Sequence, residues 1–85
     1  MKPVTVKVPP EWWSLNALPE GCIEGWLAAD GDQVEAGHPL ARIRVEGALH
    51  ELMAPAAGRL TIDAKTNSVV DPGMEVARIA PRLDA

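Results

Sequence analysis

A chain of 85 residues that is 47% hydrophobic but only 4% aromatic, with neither Phe nor Tyr, is one small domain whose interior must be built from Val, Ile, Leu, Ala and Met. Its net charge of −4, with the acidic excess in residues 1–57 and balance thereafter, disfavours nucleic-acid binding and would steer a basic protein partner toward the first part of the chain. The single Cys22 reads as a small apolar side chain rather than part of a disulfide framework; with no bilayer-length apolar run and no signal-peptide pattern, a soluble cytoplasmic protein is the expectation.

From the N-terminus, Pro9-Pro10-Glu11-Trp12-Trp13-Ser14-Leu15-Asn16-Ala17-Leu18-Pro19 reads as a Pro-bounded loop with adjacent indoles. Such indoles order at little entropic cost and offer a large amphipathic area, as a binding anchor needs; a Phe-free core gives at least one of them the plainer task of covering its end. Next, Ile23, Gly25 and Leu27 alternate with Cys22, Glu24 and Trp26, the period-2 pattern of a half-buried strand, which sets Trp26 opposite Ile23 and Leu27. Asp30-Gly31-Asp32 is a turn cluster, after which Val34 starts another strand.

Two extended segments, Ala41 to Val45 and Ala48 to Pro55, then close on a tight Glu46-Gly47 turn, where glycine takes positive φ at little steric cost. Leu60, Ile62 and Ala64 alternate with Arg59, Thr61 and Asp63 as a further strand, Thr66-Asn67-Ser68 is its turn, and Val70 starts the next segment. Pro39, Pro55 and Pro72 fall at strand starts or edges, where a missing N–H removes no important ladder bond. No stretch carries helical periodicity.

The chain also repeats. Gly37-His38-Pro39-Leu40-Ala41-Arg42-Ile43 recurs as Gly73-Met74-Glu75-Val76-Ala77-Arg78-Ile79 at an offset of 36, and the segment from Gly21 to Leu27 matches Gly58 to Ala64 at 37. The second copy is therefore expected to be one residue shorter at its turn. Eight or so short strands in two pseudo-symmetric halves predict an all-β flattened barrel or sandwich, a single domain over 1–85 with its core at about 3–80 and a short tail at 81–85.

Glu20-Gly21-Cys22-Ile23-Glu24-Gly25-Trp26-Leu27, Gly31-Asp32-Gln33-Val34, the Gly37 to Ile43 segment and Ala54-Pro55-Ala56-Ala57-Gly58, in that order and spacing, resemble the biotinyl/lipoyl carrier domain family across nearly the whole chain. The resemblance implies a barrel-sandwich hybrid of two four-stranded antiparallel sheets with a modified lysine at a hairpin tip. That tip typically reads Asp-Lys-Ala in lipoyl domains and Ala-Met-Lys-Met in biotinyl ones, seven residues before the Ala of an Ala-Pro pair; counting back from Ala54 reaches Gly47.

Attachment needs a primary amine on a flexible stem, and glycine has neither. The lysines are Lys2, Lys7 and Lys65, none of them between positions 8 and 64. Lys65 matches Ala29 in the repeat, before a turn, and reads as a solvated lysine rather than a relocated acceptor. In the family, the loop joining the first two strands lies beside the hairpin and helps partner enzymes recognise it, so the resemblance implies that Trp12 and Trp13 flank Gly47 and share a surface with it. Glu46 in place of Asp, and Leu49 after Ala48, depart from the lipoyl pattern at this tip.

Other chemistry finds no footing. His38, His50 and Cys22 lack metal-ligand spacing, and both histidines read as surface residues. Ser14 and Ser68 sit in no nucleophile-elbow or phosphate-loop sequence. Arg42 and Arg44 share one side of a strand and are suited to an anion, with pairing to nearby acids the favoured use. The reading is a lipoyl-like domain, neither lipoylated nor biotinylated and not an enzyme, with no cofactor, catalytic or metal residues and no membrane partner. Its protein partner is a dehydrogenase, carboxylase or other multienzyme component, met through Trp12, Trp13, Glu46, Gly47 and Ala48. A group carrier modified at an unconventional position stays open on the residues alone, as does a small-molecule-binding or minimally catalytic domain, which needs a pocket that so small a sandwich rarely holds.

Overall fold

Period-2 burial runs along the strands of the computed structural model, which describes residues 2–13 and 21–81. The strands are β1 (Val4–Lys7), β2 (Gly21–Trp26), β3 (Gln33–Val34), β4 (Pro39–Val45), β5 (Ala48–Met53), β6 (Gly58–Ile62), β7 (Val69–Val70) and β8 (Glu75–Pro81). A single 3-10 turn, Pro10–Trp12, is the helical element among the described residues, and no helix there is long and apolar enough to cross a membrane. The Ser14 to Pro19 part of the tryptophan loop and the tail after Pro81 lie outside the described residues.

The strands form two four-stranded antiparallel sheets, ordered β1-β8-β6-β3 and β5-β4-β2-β7. Each sheet takes two strands from each repeat, so the halves interlock, and neither holds a complete sheet alone. Equivalent turns make equivalent bonds: Gly31 N–H donates to Leu60 O at 2.7 Å and Asn67 N–H to Ile23 O at 2.8 Å, with φ of 92° and 73° in the left-handed region the turn clusters predict. Val34 and Val70 close two-residue strands rather than opening longer ones.

The one-residue difference between the repeats lies in a strand, not at a turn. β2 pairs Ile23 with Ile43 and then Gly25 with Arg42, leaving Glu24 in a bulge, whereas β6 pairs Leu60, Thr61 and Ile62 with consecutive residues of β8. The bulge resets the alternation. Trp26, predicted opposite Ile23, instead packs against the core and donates its Nε1–H to Ala64 O at 2.8 Å, while Leu27 turns outward.

Ile23, Leu40, Ile43, Leu60, Ile79 and six valines are fully buried, each worth about 1.5–3 kcal/mol, and the described core contains no polar side chain. Matching irregularities at Leu40 and Val76 let Leu40-Ala41 and Val76-Ala77 face the core as consecutive pairs. Gly58 stands where a Cβ would overlap the carbonyl of Ala80, at a φ of 154°. Gly58→Ala is therefore expected to lower stability by about 2–4 kcal/mol, read as a lower urea midpoint at unchanged slope. Gly25→Ala, with no atom within 4 Å of the added Cβ, should change it by less than about 0.5 kcal/mol.

Candidate functional site

The β4–β5 hairpin pairs Val45 with Ala48 across a two-residue turn, Glu46-Gly47. Both turn residues have positive φ, 53° and 81°, the requirement of a type I′ turn, whose twist matches the flanking strands. Nothing lies within 4 Å of a Cβ built on Gly47, so the tip is open and only the backbone prefers glycine there. No lysine stands in the hairpin.

Arg44 steadies the tip from below. Its guanidinium donates to Glu24 Oε2 at 3.0 Å and to Gly47 O at 3.4 Å. The hydrogen bond to Glu24, then its charge, raise the Arg44 pKa above the usual arginine value, keeping the cation fixed. Arg42 approaches Glu51 at 4.0 Å. The arginines are thus paired with acids, as the sequence favoured. Both pairs are exposed and orient side chains more than they stabilise the fold.

The tryptophan loop reaches the hairpin through His50, whose ring stacks on Trp12 with centroids 4.6 Å apart and planes 14° from parallel. His50 was read as a surface histidine; it is half-buried beneath this indole, because it shares the inward parity of Leu52 on β5. That parity was the signal available in the sequence. His38 is exposed in its turn.

Trp13 lies over Gly21, its Cζ2 3.1 Å from where a Cβ would stand, and Gly21 pairs with Val45 at the foot of the turn. Its Nε1–H is buried with no hydrogen-bond partner among the described residues. Both indoles are half-buried and pack against the core. The loop therefore meets the hairpin at its base: Trp12 lies beside the strand that follows the tip, Trp13 beneath the tip, and Glu46, Gly47 and Ala48 are exposed beyond them.

Comparison with known proteins matches this architecture. Residues 16–79 fit the biotin–lipoyl family model, described as "Biotin-requiring enzyme". The chain is 38% identical over 65 residues to the dihydrolipoyllysine-residue acetyltransferase component of the pyruvate dehydrogenase complex of Corynebacterium glutamicum, covering 75% of this chain and 10% of that protein. It is 37% identical over 70 residues to the protein of the same description from Mycobacterium bovis, covering 81% and 13%, and equally to that of Mycobacterium tuberculosis. An interlocked two-sheet fold with a protruding hairpin defines the class as a carrier-type β domain. The chain belongs to the biotin–lipoyl domain family, and it spans about a tenth of the length of the relatives it matches.

The two indoles should separate on truncation. Trp13→Ala, which opens space over Gly21, is expected to cost about 3 kcal/mol, and Trp12→Ala, which loses mainly the stack on His50, about 1 kcal/mol, both measured by urea denaturation.

Proposed function

We propose that this domain carries neither lipoate nor biotin and works as a protein-interaction module of a multienzyme assembly. The observation that carries the reading is the hairpin tip, a type I′ Glu46-Gly47 turn with no amine, on a chain with no lysine between positions 8 and 64. A cofactor held through a lysine amide does not fit the residues present there, and no carrier step is assigned. Lys65 is exposed in the turn between β6 and β7, the counterpart of Ala29, rather than on a hairpin tip.

The relatives are components of a pyruvate dehydrogenase complex, which supports a partner of the dehydrogenase type. The contact surface is built from Trp12, Glu46, Gly47 and Ala48, with Trp13 as the half-buried support beneath the hairpin tip. An anchor of this kind concentrates binding energy in a few rigid aromatic contacts.

Affinity capture from the native host, with mass spectrometry of bait and companions, tests both parts. The bait should show the mass of the unmodified sequence and bring down an oxo-acid dehydrogenase, a carboxylase or a related assembly. A cofactor mass increment at any residue would overturn the reading. Trp12→Ala should weaken capture by about 2 kcal/mol, roughly thirtyfold, at unchanged fold. Gly47→Lys, which has room for its side chain, is expected to accept lipoate from a lipoate ligase; no transfer would mean that the recognition surface has diverged along with the acceptor.

A further inference from the structure

β5 and β1 are pseudo-equivalent edges, each paired on one side, β5 with β4 and β1 with β8. Their registers align Leu52 with Val6 and Met53 with Lys7, so Leu49, Glu51 and Met53 stand where the β1 edge has Pro3, Thr5 and Lys7. Pro3 lacks a donor and Lys7 carries a charge, two devices that discourage a further strand. β5 has neither. Its outer face instead shows Leu49 at 48% and Met53 at 46% exposure, Met53 at the place that Lys7 holds on β1.

The backbone on that edge is also available. Val45 and Ala48 flank a two-residue turn and exchange hydrogen bonds, so Leu49 and Glu51 direct their N–H and C=O away from β4. Among the described residues no strand takes these groups.

We infer that the β5 edge accepts an extended segment of a partner protein as a fifth strand, with side chains reading apolar, basic, apolar at alternate positions on the outer face. Leu49, Glu51 and Met53 offer the complementary row at the spacing of a strand, and opposite charges across a ladder stabilise it. Glu51 pairs with Arg42 at 4.0 Å on its β4 side, and its side chain is still 45% exposed. A second copy of this chain fits less well. The antiparallel register that joins Leu49 to Met53 of the copy sets Glu51 against the copy's Glu51, between two chains of net charge −4. The inference is independent of the cargo question, because a modified hairpin tip would leave this edge unchanged.

The test uses two synthetic peptides, one with Val, Lys and Leu at alternate positions and Thr between them, the other with Glu in place of Lys. The Lys peptide should bind in calorimetry and slow amide exchange at Leu49 and Glu51. Glu51→Lys should weaken it by about fivefold or more and favour the Glu peptide instead. Glu51→Gln, an isosteric change at an exposed site, should give intermediate affinity and serves if the lysine variant does not fold, as judged by tryptophan fluorescence. Absence of protection at the two amides, affinities indifferent to the charge exchange, or a concentration-dependent dimer that protects the same amides would each overturn the inference.

Discussion

The register of β4 on β5 is the constraint from which the rest of the site follows. Because side chains alternate with period two, a slip of one residue would turn Leu52 out of the core, carry His50 away from Trp12 and leave Glu46 and Gly47 outside the turn geometry their positive φ values satisfy. The same ladder ties the repeats together, since β4 ends the first and β5 opens the second. Its counterpart, β1 on β8, closes the other sheet with strands from opposite ends of the chain.

One inserted residue gives the first repeat its distinct role. Glu24 bends β2, turns Trp26 toward the core and places a carboxylate 3.0 Å from Arg44, which in turn reaches the carbonyl of Gly47. The second repeat, lacking the insertion, runs straight through Leu60 to Ile62, and its arginine pairs beyond the strand instead, Arg78 donating to both carboxylate oxygens of Asp63 at 3.0 Å. The connection between its first two strands is only Ala54-Pro55-Ala56-Ala57, whereas in the first repeat the chain from Val8 to Glu20 separates them and includes both indoles. Near-symmetric backbones thus end in unequal surfaces, and the elaborated surface is the one at the hairpin tip.

Much of this was legible in the sequence, and the misses have physical causes. Alternation, the repeat and the turn clusters located the strands, because each is a local property of backbone and solvent. The Glu24 bulge was invisible to the same logic: a repeat offset changing from 37 to 36 records that a residue is extra but not where the ladder absorbs it, and a turn is the default. Trp26 was misplaced as a direct result. The role of His50 depends on a contact between residues far apart in sequence, and only its parity with Leu52 hinted at it. That at least one indole covers an end of the Phe-free core follows from composition, but which one depends on packing, since Gly21 leaves a space that the Trp13 ring fills.

Gly47 is best understood through the turn it completes. At φ 81° an L-residue costs of order 1 kcal/mol, so glycine satisfies the backbone preference at this place and offers no side-chain stem. The two uses ask for opposite mechanics. Delivering a group between sites needs a long arm free to swing; being recognised by contact needs a surface already in its bound shape, because ordering it on binding would subtract from affinity. Here the tip is a tight turn tied to Arg44, and the Trp12 ring beside it is stacked on His50. Fixed geometry combined with no arm is what a surface read by contact requires, and it is the physical support for the proposed interaction role.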